Sequence, residues 1–361
     1  MNKSVFSTSG LFCVDHNRYL TEMEFFNDVE PTVRFQNDLT VYHKAAHVVL
    51  FNSGFWALVV AIKYKLAQHK HKKVLMPSLT YRRLADAVFW AGGTPVFVDI
   101  DSKSLALDLE LCELAIRADK SISVLLLVQP IVGSVDVRPY IGLCNSHHVG
   151  LVVDSVESVH DSVAGTRCGA FDAIEVFSCH ASKFINGFEG GYICTEDAYE
   201  YELLEKLQTL DSIFHFKMSS IHASIASSNL SDIVEFQLHN QKIYNEYIKY
   251  QEEFNKIGMD VLKFEKLDQC GYKNIVAKSI DPNLDILKLV SNLNMAGIGA
   301  RSYYQPPLHR KSHSYPFEIY GSMKITETLG SNMINLPCGW RFKAANVADV
   351  FCVIKKQLDG T

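Results

Sequence analysis

The chain has 361 residues, 48% hydrophobic and 21% charged, with a formal net charge of −5. That length can bury one large core, or a large domain with a small one beside it. The acidic balance excludes the electrostatic footprint of a nucleic-acid binder. The densest basic run, "KYKLAQHKHKK" at 63–73, reads as the solvated end of a helix.

From about residue 45, short β-rich runs alternate with helical patterns. "AAHVVLFNSG" is a strand ending in a turn, and "FWALVVAIKYKLAQ" follows with helical periodicity. "KKVLMPS" and "TPVFVDID" are strands on either side of the helical "YRRLADAVFWAGG". "LDLELCELAIRA" and "RPYIGLCNSHH" are helices. "ISVLLLVQP", "VGLVVDS", "FDAIEVFS" and "GGYICTE" are further strands. Near-continuous apolar strands between helices predict an α/β domain with a mostly parallel sheet. From about residue 197 long amphipathic helices take over, including one near 220–255, followed by a Pro/Tyr-rich loop at 301–316 and a last helix "VADVFCVIKKQL". The expected division is a large α/β domain, 1–235, and a small α+β domain, 236–361, with residues 1–30 packing with the small one.

Nine cysteines are scattered without any CxxC pair. That is the usage of a reducing compartment, and the clustered ligands of a zinc site are missing. The first twenty residues hold no sustained apolar core, and no run approaches a membrane span. The expectation is a cytoplasmic protein with no metal and no membrane segment.

In open α/β sheets, ligands collect at the carboxyl ends of the strands. Four such ends are suggestive. In "LFNSGFWAL", 50–58, Ser53 and Gly54 turn directly into a helix, whose free N–H groups and dipole suit a phosphate; a plain strand-to-helix turn has the same look. In "MPSLTYRRLADAV", 76–88, Tyr81 could stack on a flat ring or simply fill a core. In "GLVVDSVESVH", 150–160, Asp154 ends a buried strand, where a carboxylate needs a cation, a protonated heterocyclic nitrogen or a capping bond. In "SCHASKFINGFEGG", 178–191, Lys183 precedes a glycine-rich turn, flanked by Ser178 and Ser182. A lysine partly removed from water in a cleft is expected to have a lowered pKa and to attack a carbonyl. Asp154 and Lys183 have one strand between them and can face the same cleft. Together these residues form the inventory of a pyridoxal 5′-phosphate (PLP) site.

The order of these motifs, with "TPVFVDID", "VVDS-x-E", "FSCHASK" and "EGGYICTED", resembles the DegT/DnrJ/EryC1/StrS sugar aminotransferases of the fold-type I, aspartate aminotransferase-like enzymes. It is most similar to the branch that makes nucleotide-linked 4-amino-4,6-dideoxy sugars. The resemblance runs from about residue 45 to the C-terminus and implies a mostly parallel seven-stranded sheet. It also implies that Lys183 is the Schiff-base lysine, that Asp154 partners the pyridine nitrogen, that Tyr81 stacks on the ring, and that Ser53, Gly54 and Ser178 bind the phosphate. His215 and Lys217 in "HFKM" stand where the family has Asn and Arg in a segment reaching the neighbouring subunit's site. Tyr304 and His309 in "YYQPPLH" fall in a loop near the nucleotide sugar.

The implied enzyme is a homodimer with shared sites. It would move an amino group, with L-glutamate the expected donor, onto a nucleotide-linked (dTDP) keto-6-deoxy sugar for surface-polysaccharide (O-antigen, lipopolysaccharide) or amino-sugar biosynthesis. Two departures bear on the cofactor. Glu157 stands where the family usually has Gln or His, and an added carboxylate there would oppose loss of the aldimine proton unless it is itself protonated or paired. Phe55 replaces the usual Thr of the phosphate turn. The alternatives are a PLP sugar dehydratase, whose members look to carry His in place of the lysine, and an inactive cofactor-binding or regulatory homologue.

Overall fold

The strands form where β-branched and aliphatic residues run together, and in the middle of the sheet they are covered on both faces. Along β4 (Ile122–Val128), Val124 and Leu126 enter the core on one face while Leu125 and Leu127 enter the core on the other. The same alternation continues in β5 (Gly150–Asp154), with Val152 on one side and Leu151 and Val153 on the opposite one.

The structure, a computed structural model, describes residues 30–209, 216–265, 267–281 and 283–359. The other strands of the large sheet are β1 (His47–Phe51), β2 (Lys73–Pro77) and β3 (Thr94–Val98). After a two-strand hairpin, β6 (Ser162–Val163) with β7 (Thr166–Arg167), come β8 (Ile174–Ser178) and β9 (Gly191–Thr195). The sheet order is β1-β9-β8-β5-β4-β2-β3-β12, where β12 is Glu318–Ile319. The run from β8 to β12 is parallel, and only β9 is antiparallel to its neighbours β1 and β8.

The expected seven strands are joined by an eighth, β12 (Glu318–Ile319), which pairs with β3 at the sheet edge. Its chain arrives from the far end of the sequence and is anchored by the Tyr320 N–H on the Phe97 carbonyl at 2.8 Å. No local periodicity marks a two-residue strand, so this is a tertiary event.

The second core packs around an antiparallel sheet, β10 (Met259–Val261), β11 (Ile275–Ser279) and β13 (Met333–Leu336), in the order β10-β11-β13. Helices Ile286–Met295 and Val347–Asp359 bury Leu289, Leu293, Val350 and Ile354 against it. The single helix expected near 220–255 is instead three, Ser220–Ser231, Ile233–Lys249 and Gln251–Lys256, broken at Asp232 and Tyr250. Both residues lie at φ near −90° and ψ near 0°. The first break follows the serine-rich "SSNLS", a weak helix former. The middle helix still links both cores, with Ile233 and Phe236 in the first and Ile243 and Tyr247 in the second.

The described cysteines are free thiols and all but Cys352 are buried, so they act as small apolar side chains. No helix among the described residues is long and apolar enough to cross a membrane. Residues 1–29, and with them nearly all of the expected N-terminal packing segment, lie outside the described residues, as does His215.

Candidate active site

The site is assembled by sheet register. Gly191, the first residue of β9, pairs with Phe51 at the end of β1 and with Ser178 at the end of β8. Asp154, the last residue of β5, pairs with Val176 of β8. Ser53, Ser178, Gly191 and Asp154 therefore converge at one end of the sheet. Lys183 follows β8 in a tight turn, where its N–H donates to the His180 carbonyl at 2.8 Å.

A cradle forms where β1 turns into helix Gly54–Ala67. Ser53 caps that helix, its Oγ accepting the Trp56 N–H at 3.2 Å. The packing there leaves no room for side chains. A Cβ on Gly54 would lie 2.7 Å from the Ser178 Cβ, and one on Gly191 would run into the Gly54 backbone nitrogen. The helix N-terminus thus directs its N–H groups at a spot bordered by the Ser53 and Ser178 hydroxyls. The Ser178 Oγ also accepts the His180 N–H at 3.2 Å, and the Ser182 hydroxyl is 3.0 Å from the His180 Nδ1. Phe55 turns aside to stack under the Arg83 guanidinium, 4.2 Å from the ring centroid.

Next to the cradle is a charge cluster, partly buried at Glu157 and Lys183 and buried at Asp154 and Lys273. Glu157 spans it. Its Oε1 accepts from Lys183 Nζ at 2.5 Å; its Oε2 accepts from Lys273 Nζ at 2.5 Å and from Asn274 Nδ2 at 2.8 Å. Burial alone would raise the Glu157 carboxyl, but the two ammonium groups outweigh it and hold it well below its ordinary value. Asp154 is buried and accepts the Val156 N–H at 3.1 Å. Burial pushes its carboxyl up to about 6, against the pull of the Val156 bond and the Lys183 charge.

The lysine expected to titrate low does the opposite. Burial favours the neutral Lys183 amine, but contact with Glu157, aided by Asp154 and Tyr303, raises its pKa instead. Lys273 is the lysine that is lowered, by burial and by the Lys183 charge, in spite of Glu157.

The remaining expected residues are distributed as follows. Tyr81, just beyond β2, is 48% exposed. Tyr304 lines a small crevice with Thr80, Gln129, Pro130 and Ile131, and burial holds its hydroxyl well above the usual tyrosine range, with Glu157, Asp154 and Tyr81 among its charged or polar neighbours. Lys217 is exposed beside the cradle: the carbonyl of its neighbour Phe216 accepts the Asn52 N–H at 2.7 Å, and the Phe216 ring lies on Trp56. His309 is drawn into structure. Its Nδ1 is 2.7 Å from the Ser78 Oγ and its Nε2 3.2 Å from Glu327, so both ring nitrogens already have partners. In this geometry it ties the Leu308–Arg310 turn to the end of β2.

Sequence reasoning missed Lys273 and Asn274. Their one local signal is a pair of polar residues at the head of an apolar run, "YKNIVA".

The fold is that of the PLP-dependent aminotransferases. More narrowly, residues 17–355 match the model of the DegT/DnrJ/EryC1/StrS aminotransferase family, and the chain belongs to that family.

It is 25% identical over 345 residues to the GDP-perosamine synthase of Caulobacter vibrioides, covering 90% of each protein. It is 27% identical over 331 residues to the UDP-N-acetyl-3-dehydro-alpha-D-glucosamine 3-aminotransferase of Acidithiobacillus ferrooxidans, covering 87% of this chain and 85% of that one. Among solved structures it superposes on DesI, crystallised in the presence of its TDP-sugar product, with a TM-score of 0.88 at 20% identity, over 99% of this chain and 94% of that one. The protein is a PLP-dependent nucleotide-sugar aminotransferase.

Proposed function

We propose that this enzyme transfers an amino group from L-glutamate to the keto carbon of a dTDP-linked 6-deoxy sugar, for surface-polysaccharide or amino-sugar biosynthesis in the cytoplasm. We propose further that it works as a homodimer, with domains 1–235 and 236–361 forming the walls of the site. The observation that carries the reading is that Lys183, in the turn after β8, and buried Asp154, at the end of neighbouring β5, stand near enough for the Lys183 charge to act on the Asp154 carboxyl, beside a helix N-terminus that admits only glycine.

These residues fit PLP. Bound PLP supplies an electron-accepting ring and a carbonyl through which the amino group passes. The Ser53 and Ser178 hydroxyls and the N–H groups at Gly54 and Phe55 would hold the phosphate. Asp154 presents a carboxylate whose burial leaves it wanting a cationic partner, and a protonated ring nitrogen answers that need. Tyr81 would cover one ring face. Lys183 Nζ would anchor the cofactor and carry the proton. Lys217, Tyr304 and the segment around His309 would border the sugar-nucleotide side, and a neighbouring subunit would complete it. Retention of Lys183 favours amino transfer over dehydration.

The test uses purified protein loaded with PLP. Lys183→Ala is expected to lose the visible absorbance of the lysine-bound cofactor and all turnover; an unchanged band in that variant would sink the lysine assignment. Glutamate labelled at nitrogen should pass its label to the sugar product. Sugar product free of label would refute amino transfer from glutamate.

A further inference from the structure

The cluster contains two charged groups that the proposed reaction does not use, Glu157 and Lys273. Lys273 stands at the head of β11, in the second core, and is only 7% exposed. An ammonium buried that deeply is costly unless it is paired. Its partner is the same carboxylate that contacts the cofactor lysine, and the two lysines take different oxygens of it.

We propose that Lys273 is a positioning residue for the Lys183 amine: by binding Oε2 of Glu157, with Asn274, it offsets part of that carboxylate's charge and fixes Oε1 as a shared counter-ion on Lys183 Nζ. This rests on Lys183 being the cofactor lysine. It also bears on the departure at Glu157. A lone carboxylate there would hold the proton on Lys183 still more tightly, whereas Lys273 offsets part of its charge and leaves an oriented acceptor.

The groups facing this contact come from every element packed around it. Asp154 and Glu157 come from the end of β5, and Lys183 from the turn after β8. Tyr303 and Tyr304 come from the loop before the Leu308–Arg310 turn, Lys273 and Asn274 from the head of β11, and Cys338 from beyond β13. Asp154 and Glu157 attract the Lys183 proton and Lys273 repels it.

The two partners of Lys183 therefore act with opposite sign. Without the Glu157 charge, Lys183 faces an uncompensated Lys273 and loses its proton more readily. Without the Lys273 charge, Lys183 has Glu157 to itself and holds its proton more tightly. A Lys273 that served only to pack the second core would not produce this reversal.

The experiment is acylation of the full-length, cofactor-stripped protein with acetic anhydride at a fixed pH of about 8, with the Lys183 peptide quantified by mass spectrometry. Each unit of pKa is tenfold in free amine, and a neighbouring charge moves a pKa by about one to three units. Glu157→Gln should therefore raise the Lys183 acylation rate by about tenfold or more. Lys273→Met should lower it by about tenfold, and Lys273→Arg should leave it near the wild-type rate. A folded Lys273→Met protein with an unchanged or faster rate would overturn the proposal. So would Glu157→Gln with an unchanged rate, which decides the matter if Lys273→Met fails to fold. The cofactor-lysine assignment is checked separately by borohydride reduction of the PLP-loaded protein. Reduced cofactor on another lysine would overturn that assignment, and a shift of only the acylation rates would not.

Discussion

Replacing Asp154 with Asn should stabilise the cofactor-free protein while abolishing its activity. The carboxyl is buried, and its pKa stands at about 6 against an ordinary 3.8. That difference corresponds to ~3 kcal/mol of unfavourable ionisation in the folded state at neutral pH and above. The sign follows from proton binding: between the two values the folded chain binds more protons than the unfolded one, so the wild type loses stability as the pH rises through this interval and regains it on acidification. Asn carries no charge, and its Oδ1 can still accept the Val156 N–H. Urea unfolding of the stripped proteins should thus show Asp154→Asn more stable by up to ~3 kcal/mol at pH ~8, with the advantage shrinking toward pH ~4. PLP binding and turnover should be lost in the same variant. A variant that is no more stable than wild type at pH ~8, or one whose advantage is equal at both pH values, would refute the claim that Asp154 is held ready for a cationic partner.

The cradle makes two further predictions. Gly191→Ala forces a Cβ into the Gly54 backbone, so it should destabilise the protein by about 3 kcal/mol and weaken PLP binding, measured by thermal unfolding and cofactor titration. Ser53→Ala removes the cap on the Trp56 N–H; it should cost about 1 kcal/mol without cofactor and more with it, read as a smaller rise in melting temperature on loading.

Much of the site could be read along the chain because its parts lie at strand ends, and strand ends are marked by the change from an apolar run to a turn. Ser53, Asp154, Ser178 and Lys183 each occupy such a boundary, and the α/β pattern places those boundaries at one edge of a sheet. Lys273 and Asn274 were not legible in that way. They belong to the second core, and no spacing in "GYKNIV" says that they reach Glu157, which lies more than a hundred residues earlier. His309 is similar: Ser78 and Glu327, which meet its two ring nitrogens, stand far from it along the chain or in another element, and no local spacing predicts them.

The protonation order of the two lysines turned on the same contact. Burial is visible in a sequence as an apolar neighbourhood, and burial alone predicts a low pKa for Lys183. The charge 2.5 Å away is not visible, and at that distance in a poorly screened site it outweighs the burial.

Residue order alone determined the fold class, the strand ends and which side chains stand at them, because hydrophobic periodicity and turn residues act locally. The tertiary structure decided which of those side chains meet. It added the β12 edge strand, broke the long helix at Asp232 and Tyr250, and brought Lys273 onto Glu157. Those outcomes depend on contacts between distant segments, whose energies come from distance and burial and leave no periodic trace in the chain.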